Sequence, residues 1–221
     1  MEVKTLDNIK EIIAKRVAKE LKDGDLVNLG IGVPSLVANY IPSELEVYLQ
    51  SENGIIGLGP LANEDEIDIN LTNPSGQYAT IKENGAYFDT AFSFIIIRGG
   101  HLDLTVLGTL EVDEEGSMAS WIIPGKLVPG MGGSMDLVTG AKRVIIATTH
   151  TNKGIPKIKK KCQLPLTAYR VVDLIVTEMA VIEVHDDGLH LVERHPDVSI
   201  EEIIAATEAT LIYDEVKIME V

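Results

Sequence analysis

Residues 49–59 read Leu49-Gln50-Ser51-Glu52-Asn53-Gly54-Ile55-Ile56-Gly57-Leu58-Gly59. An apparent strand ends at a carboxylate, and the next two residues are Asn-Gly, the pair most used in tight hairpin turns. A glutamate placed here stands at the end of a strand and ahead of a glycine-rich turn, so it is presented rather than held inside a ladder. The chain supplies its own comparison. Glu83-Asn84-Gly85 repeats the tripeptide between Ile81-Lys82 and Ala86-Tyr87-Phe88, where an ordinary hairpin accounts for it. On the tripeptide alone, a solvated surface glutamate is the default reading of Glu52.

Working outward, short apolar runs recur at Leu26–Leu29, 47–49, 94–97, Leu104–Leu107, Val144–Ala147 and Leu174–Val176. Several are apolar throughout, the pattern of strands covered on both faces. Residues 8–21 place Ile9, Ile12, Ile13, Val17 and Leu21 on one helical face, with Asn8 and Glu11 at capping-box spacing and Gly24 beyond the end. Ser199 and Glu202 open a second helical stretch in the same way. Gly and Pro clusters at 30–34, 53–60, 73–76 and 125–133 exceed what hairpins need and predict loops that expose backbone amides. The elements predict an α/β fold, a single open-sheet domain over residues 1–221 with helices on both faces. No internal repeat or linker divides it.

The 221 residues carry 19 Lys and Arg against 34 Asp and Glu, a formal charge of −15. That charge repels nucleic acid phosphates and anionic membranes at long range, so neither is an expected partner. Residues 1–10 alternate charged and apolar side chains and lack the continuous apolar core of an export signal. The longest apolar runs, such as 92–97, fall far short of the roughly 20 residues needed to span a bilayer. With Cys162 as the single cysteine, no intrachain disulfide and no cysteine cluster for zinc can form. A soluble cytoplasmic protein without a metal centre is expected.

Among the remaining polar residues, the basic run at 157–161 reads as a solvated loop in an acidic chain. His185, His190 and His195 recur every five residues, which suits neither a helical i, i+4 ligand pair nor a single strand face, so loop or surface positions are expected. His101 and His150 stand beside apparent strand ends and are expected to make structural hydrogen bonds. Cys162 is expected to be an unreactive core or loop thiol.

Two functional readings compete around Glu52. Leu26-Val27-Asn28-Leu29 followed by Gly30-Ile31-Gly32-Val33-Pro34-Ser35 resembles the opening of a dinucleotide-binding turn, and Glu52 lies about 20 residues on, where a ribose-binding acid sits. Against an NAD-dependent dehydrogenase built on this turn, Ser35 holds the third glycine position and Pro34 has no amide to offer a pyrophosphate.

The longer context favours another family. Leu-Gln-Ser-Glu-Asn-Gly-Ile-Ile-Gly at 49–57 resembles the signature around the catalytic glutamate of family I coenzyme A transferases. The resemblance continues through Asn28-Leu29-Gly30-Ile31-Gly32-Val33-Pro34, Arg98-Gly99-Gly100-His101-Leu102-Asp103, Trp121-Ile122-Ile123-Pro124-Gly125-Lys126 and Gly130-Met131-Gly132-Gly133-Ser134-Met135-Asp136. All are similar to the β subunit of 3-oxoacid and butyrate-acetoacetate transferases. The resemblance implies that Glu52 becomes covalently attached to coenzyme A, and that Asn28, Gly132 and Gly133 form the oxyanion and substrate-binding surroundings. It implies no permanently bound cofactor, with a coenzyme A thioester as substrate. It also implies an α-type partner subunit in an assembly of two copies of each chain, because the Gly-Gly-Phe signature of that subunit does not occur here. A non-catalytic paralogue would share most of these patterns, though the intact Ser51-Glu52-Asn53-Gly54 argues against one.

The chemistry agrees with such an assignment. Exchanging coenzyme A between two acids without ATP needs a carrier for the acyl activation, and a glutamate, ordinarily ionised at neutral pH, can attack a thioester without a general base.

Overall fold

The computed structural model describes residues 8–220, so most of the segment read for an export signal lies outside the described residues. Helix α1 (Ile9–Ala18) stops short of the expected Leu21, and its cap differs from the expected box. Asn8 takes a left-handed conformation, φ 58°, and makes no side-chain cap bond. The helix is anchored by packing instead, with Ile13 and Val17 fully buried, and by Arg16, which donates to both carboxylate oxygens of Glu193 at 2.7 and 2.9 Å.

Strands β1 (Leu26–Leu29), β2 (Tyr48–Ser51), β3 (Ile55–Leu61), β4 (Ala79–Tyr87) and β5 (Leu104–Leu107) join six later ones in an 11-stranded sheet. Its centre is parallel, in the order β2, β1, β5, Val144–Ala147, Leu174–Val176. β3 and β4 extend one side in antiparallel fashion. Ala180–His185 and Gly188–Arg194 extend the other as a hairpin, followed by the short strands Leu211–Ile212 and Lys217–Ile218.

The all-apolar strands are covered on both faces, as their composition predicts. Ile145 and Ala147 pack with α1 and the 3-10 helix Pro34–Tyr40, whereas Val144 and Ile146 pack with α2 (Thr90–Arg98), α3 (Ser134–Gly140) and α4 (Ile200–Ala206). Ser199 and Glu202 open α4 through the expected capping box. Among the described residues, no helix is long and apolar enough to cross a membrane.

Several expectations fail for identifiable reasons. Residues 94–97 are not a strand but the body of α2, where Asp89 caps the helix by accepting from Phe92 N at 2.8 Å. A short apolar run fits either element, and the Asp89 cap with the Gly99-Gly100 stop selects the helix. The strand expected at 47–49 begins one residue later, at Tyr48. Glu83-Asn84-Gly85 forms no hairpin: it lies within β4, where Ile56 pairs with Ala86 and Leu58 with Ile81, so residues 82–85 oppose Gly57 alone. This is a large bulge in one continuous strand.

The basic run is a solvated loop only at the exposed Lys160 and Lys161. Lys157 Nζ turns inward to donate to Thr148 Oγ1 at 2.7 Å, and the buried Lys159 pairs with Glu208 at 2.9 Å.

Candidate active site

The carboxyl ends of β1, β2 and β5 meet at one edge of the sheet, with β1 between the other two. In open α/β sheets this edge is where ligands bind. Glu52 immediately follows β2, in the turn that joins it to β3. Gly54 N donates to Ser51 O at 3.0 Å and closes the turn, and Phe88 N donates to Gly54 O at 3.0 Å, tying it to the segment that leads into α2. Gly54 has φ 112°, and a Cβ there would run into the carbonyl of Phe88, so only glycine fits. The side chains on either side are engaged: Ser51 donates its hydroxyl to Asn53 Oδ1, and Asn53 Nδ2 donates to Thr72 O at 2.9 Å. The half-buried Glu52 carboxylate accepts no hydrogen bond from any described residue.

That carboxylate rests on the Gly132-Gly133 backbone. A Cβ on Gly133 would overlap Oε2 of Glu52, and one on Gly132 would stand 3.5 Å from Oε1. Two clefts meet at the glutamate. The larger, of about 530 Å³, is bordered by Asn28, Gly30, Gly108, Thr109, Gly132 and Gly133 among others, and the smaller, of about 410 Å³, by Asn53, Thr72, Pro74, Thr90 and Phe94. Glu52 lines both, and among the described residues no other ionisable side chain lines either.

The structure therefore brings Asn28, Glu52, Gly132 and Gly133 together around one space. Asn28 is more constrained than its sequence context suggests. It is buried, and its Nδ2 donates to Gln50 Oε1 at 2.7 Å and to Gln50 O at 3.2 Å. Gln50 Nε2 continues the chain to Ser93 Oγ at 2.9 Å. Sequence reasoning missed this relay, which locks β1, β2 and α2 together beneath Glu52. Its only sequence signal is a run of polar residues, Gln50 and Ser51, ending a strand that is otherwise inside.

The histidines lie away from the clefts. His150 is buried between the hydroxyls of Thr177 and Thr207, at 2.9 and 2.8 Å, and burial lowers its pKa to about 4, so it is a neutral structural group as expected. His101 is exposed, and its ring makes no hydrogen bond to a described residue, contrary to expectation. His195 is buried rather than at the surface, with Nδ1 accepting from Asp197 N at 3.1 Å. His185 is exposed, as expected, and His190 is half-buried beside it; their rings meet across a hairpin, with centroids 4.5 Å apart. Burial, with Asp113 and Glu111 nearby, pushes the Cys162 thiol pKa up, in keeping with an unreactive residue.

Comparison with known proteins points one way. Residues 10–206 match the family model described as coenzyme A transferase. The chain is 54% identical over 216 residues to the beta chain of the acetate CoA-transferase of Haemophilus influenzae, covering 97% of this chain and 96% of that protein. It is 50% identical over 198 residues to one subunit of the probable succinyl-CoA:3-ketoacid coenzyme A transferase of Bacillus subtilis, covering 89% and 92%. Its fold superposes on an acyl-CoA transferase apoenzyme of Escherichia coli O157:H7 with a TM-score of 0.78 over 100% of this chain. This chain spans 45% of that structure's length at 23% identity, a likeness of fold alone. Matched over most of its length and half-identical to relatives of the same size, the chain belongs to the coenzyme A transferase family.

Proposed function

We propose that this chain is the glutamate-bearing subunit of a transferase that moves coenzyme A from a short-chain acyl- or 3-oxoacyl-CoA to a carboxylic acid of the butyrate, acetate or acetoacetate type, through a covalent thioester on Glu52. One observation carries the reading: Glu52 is the sole ionisable group among the described residues on two adjoining clefts, lies against a glycine backbone and accepts no hydrogen bond. A structural carboxylate would be paired, and a general acid or base would have a partner to exchange protons with. A nucleophile needs neither.

The Glu52 carboxylate attacks the thioester carbonyl and expels the coenzyme A thiolate, forming a mixed anhydride. The thiolate then attacks the glutamyl carbonyl, the first acid leaves as its carboxylate, and coenzyme A remains as a thioester on Glu52. The incoming carboxylate runs the same steps in reverse. Each tetrahedral intermediate carries an oxyanion, for which the Asn28 amide and the backbone at Gly132 and Gly133 are the nearby donors. Asn28 can serve only by exchanging one of its bonds to Gln50. A thioester filling the two clefts displaces water from the carboxylate, which raises its reactivity.

The missing cations argue for a partner. Coenzyme A carries a diphosphate and a 3′-phosphate, yet among the described residues no Lys or Arg lines either cleft. Groups that hold phosphates come from elsewhere in the assembly, on this reading from an α-type subunit in a heterotetramer. That both relatives are named as single subunits of their enzymes supports this. Binding energy from the remote nucleotide would drive Glu52 onto the thioester, so the lone chain loses turnover and not merely affinity. No resident cofactor is required.

The dehydrogenase alternative gains nothing from the geometry. Gly30 N is committed to Val106 O at 2.8 Å, and Pro34 opens a 3-10 helix rather than an α-helix whose N-terminus could face a pyrophosphate. The test uses the co-expressed pair. Steady-state kinetics should be ping-pong, and borohydride or hydroxylamine should inactivate only after incubation with acyl-CoA. Sequential kinetics without acyl-dependent inactivation would refute the covalent route.

A further inference from the structure

The hairpin formed by Ala180–His185 and Gly188–Arg194 gathers side chains for which the transfer reaction has no use. Glu183 pairs with His190 and His185 with Gly188, which places Glu183, His185 and His190 on one face of the ribbon. Gly188 offers no side chain opposite His185, and the two imidazole rings come to 4.5 Å between centroids. Asp187, in the turn, closes the group. One ligand atom from each of His185, Asp187 and His190 lies within 4.8 Å of the other two. Each imidazole is held by a carboxylate: His185 Nε2 lies 2.9 Å from Glu183 Oε2, and His190 Nε2 lies 2.8 Å from Asp187 Oδ1.

Ligands around a tetrahedral zinc ion stand about 3.3 Å apart, given metal–nitrogen bonds of about 2.0–2.1 Å. The three atoms, within 4.8 Å of one another, have at most about 1.5 Å to close to reach that spacing. We propose that His185, Asp187 and His190 form a binding site for a divalent first-row transition-metal ion. Two nitrogens and one oxygen match zinc best, and magnesium, which takes oxygen ligands, poorly. Glu183 supplies the carboxylate contact that orients a metal-bound imidazole, and water completes the coordination. The chain's net charge of −15 adds a long-range attraction for cations.

The position separates this site from the transfer chemistry. Val181 pairs with Val176 and Glu183 with Leu174, in antiparallel register, so the strand runs away from the edge that holds Glu52 and ends, at His185, on the opposite edge. The ion would pin the hairpin and take no part in acyl transfer.

Titration calorimetry of the tag-free complex with zinc chloride, and with magnesium chloride as control, tests this. One zinc per copy of this chain should bind at the site, and magnesium should not. His185→Ala and His190→Ala should each weaken zinc binding by about tenfold or more, since each removes one of three protein ligands, with transferase rate unchanged. His101→Ala, which removes an exposed histidine elsewhere, should bind as the wild type does. Proton NMR of the unmutated protein gives an arm free of folding effects: the ring signals of two histidines should shift together on adding zinc. Absence of zinc binding, or equal binding by the His185→Ala/His190→Ala double variant, overturns the proposal.

Discussion

The chain uses Glu-Asn-Gly twice and obtains two different structures from it. At 52–54 the tripeptide turns the chain between β2 and β3, with Gly54 at φ 112° and the glutamate facing two clefts. At 83–85 the same letters lie inside β4, as part of a bulge opposite Gly57, and the glutamate is exposed. What differs is the surroundings. Phe88 N donates to the turn at Gly54, Thr72 holds Asn53, and Gly132-Gly133 leaves room for the carboxylate. Around Glu83 none of these supports exists. A turn motif states what the backbone can do locally, and tertiary contacts decide whether it does so and what it presents.

The largest effect that could break this contrast is on catalysis. Glu52→Gln keeps the side chain's size but cannot carry the acyl group, and should lower the transfer rate by about 10³-fold or more, ~4 kcal/mol of barrier. Glu83→Gln should leave the rate unchanged. Initial rates of the two co-expressed complexes decide it, provided mass spectrometry excludes deamidation of Gln back to Glu.

The two glycines should differ in stability. Gly54→Ala forces a side chain into a left-handed backbone and against Phe88 O, and should cost ~3 kcal/mol or more. Gly85 has no such backbone constraint, but a Cβ there would press on Ile81 and stand 3.0 Å from Ile56 O, for a cost of ~1–3 kcal/mol. Urea unfolding of both variants should rank them in that order. The asparagines give the smallest contrast: Asn53→Ala loses the bond to Thr72 O, ~1 kcal/mol, and Asn84→Ala should fall within about 0.5 kcal/mol of the wild type, as an exposed position without a special role. Thermal melts monitored by circular dichroism are sensitive enough to separate them.

How much of this was legible depended on whether the signal was local. Val144–Ala147 and Leu174–Val176 announce doubly covered strands because every residue is apolar, and α4 announces its start through Ser199 and Glu202. Residues 94–97 look the same as those strands over four positions, and only the flanking Asp89 and Gly99-Gly100 separate helix from strand. Lys157 and Lys159 turn inward because distant Thr148 and Glu208 receive them, and no reading of neighbours could find those partners. For the site, Glu52 and its glycines were legible from motif resemblance, while the Asn28–Gln50–Ser93 relay joins three elements and appears only once the chain is folded.

The central claim is that Glu52 carries coenzyme A as a thioester. The direct measurement is peptide mass mapping of the co-expressed complex after incubation with acyl-CoA in the absence of an acceptor, with borohydride reducing the thioester to a stable side-chain alcohol, and releasing coenzyme A, to mark the residue. Acyl-CoA-dependent modification of the peptide containing Glu52, and none of the peptide containing Glu83, is the predicted result. Turnover by an enzyme that shows no modification at Glu52, or modification at a different residue, would contradict it.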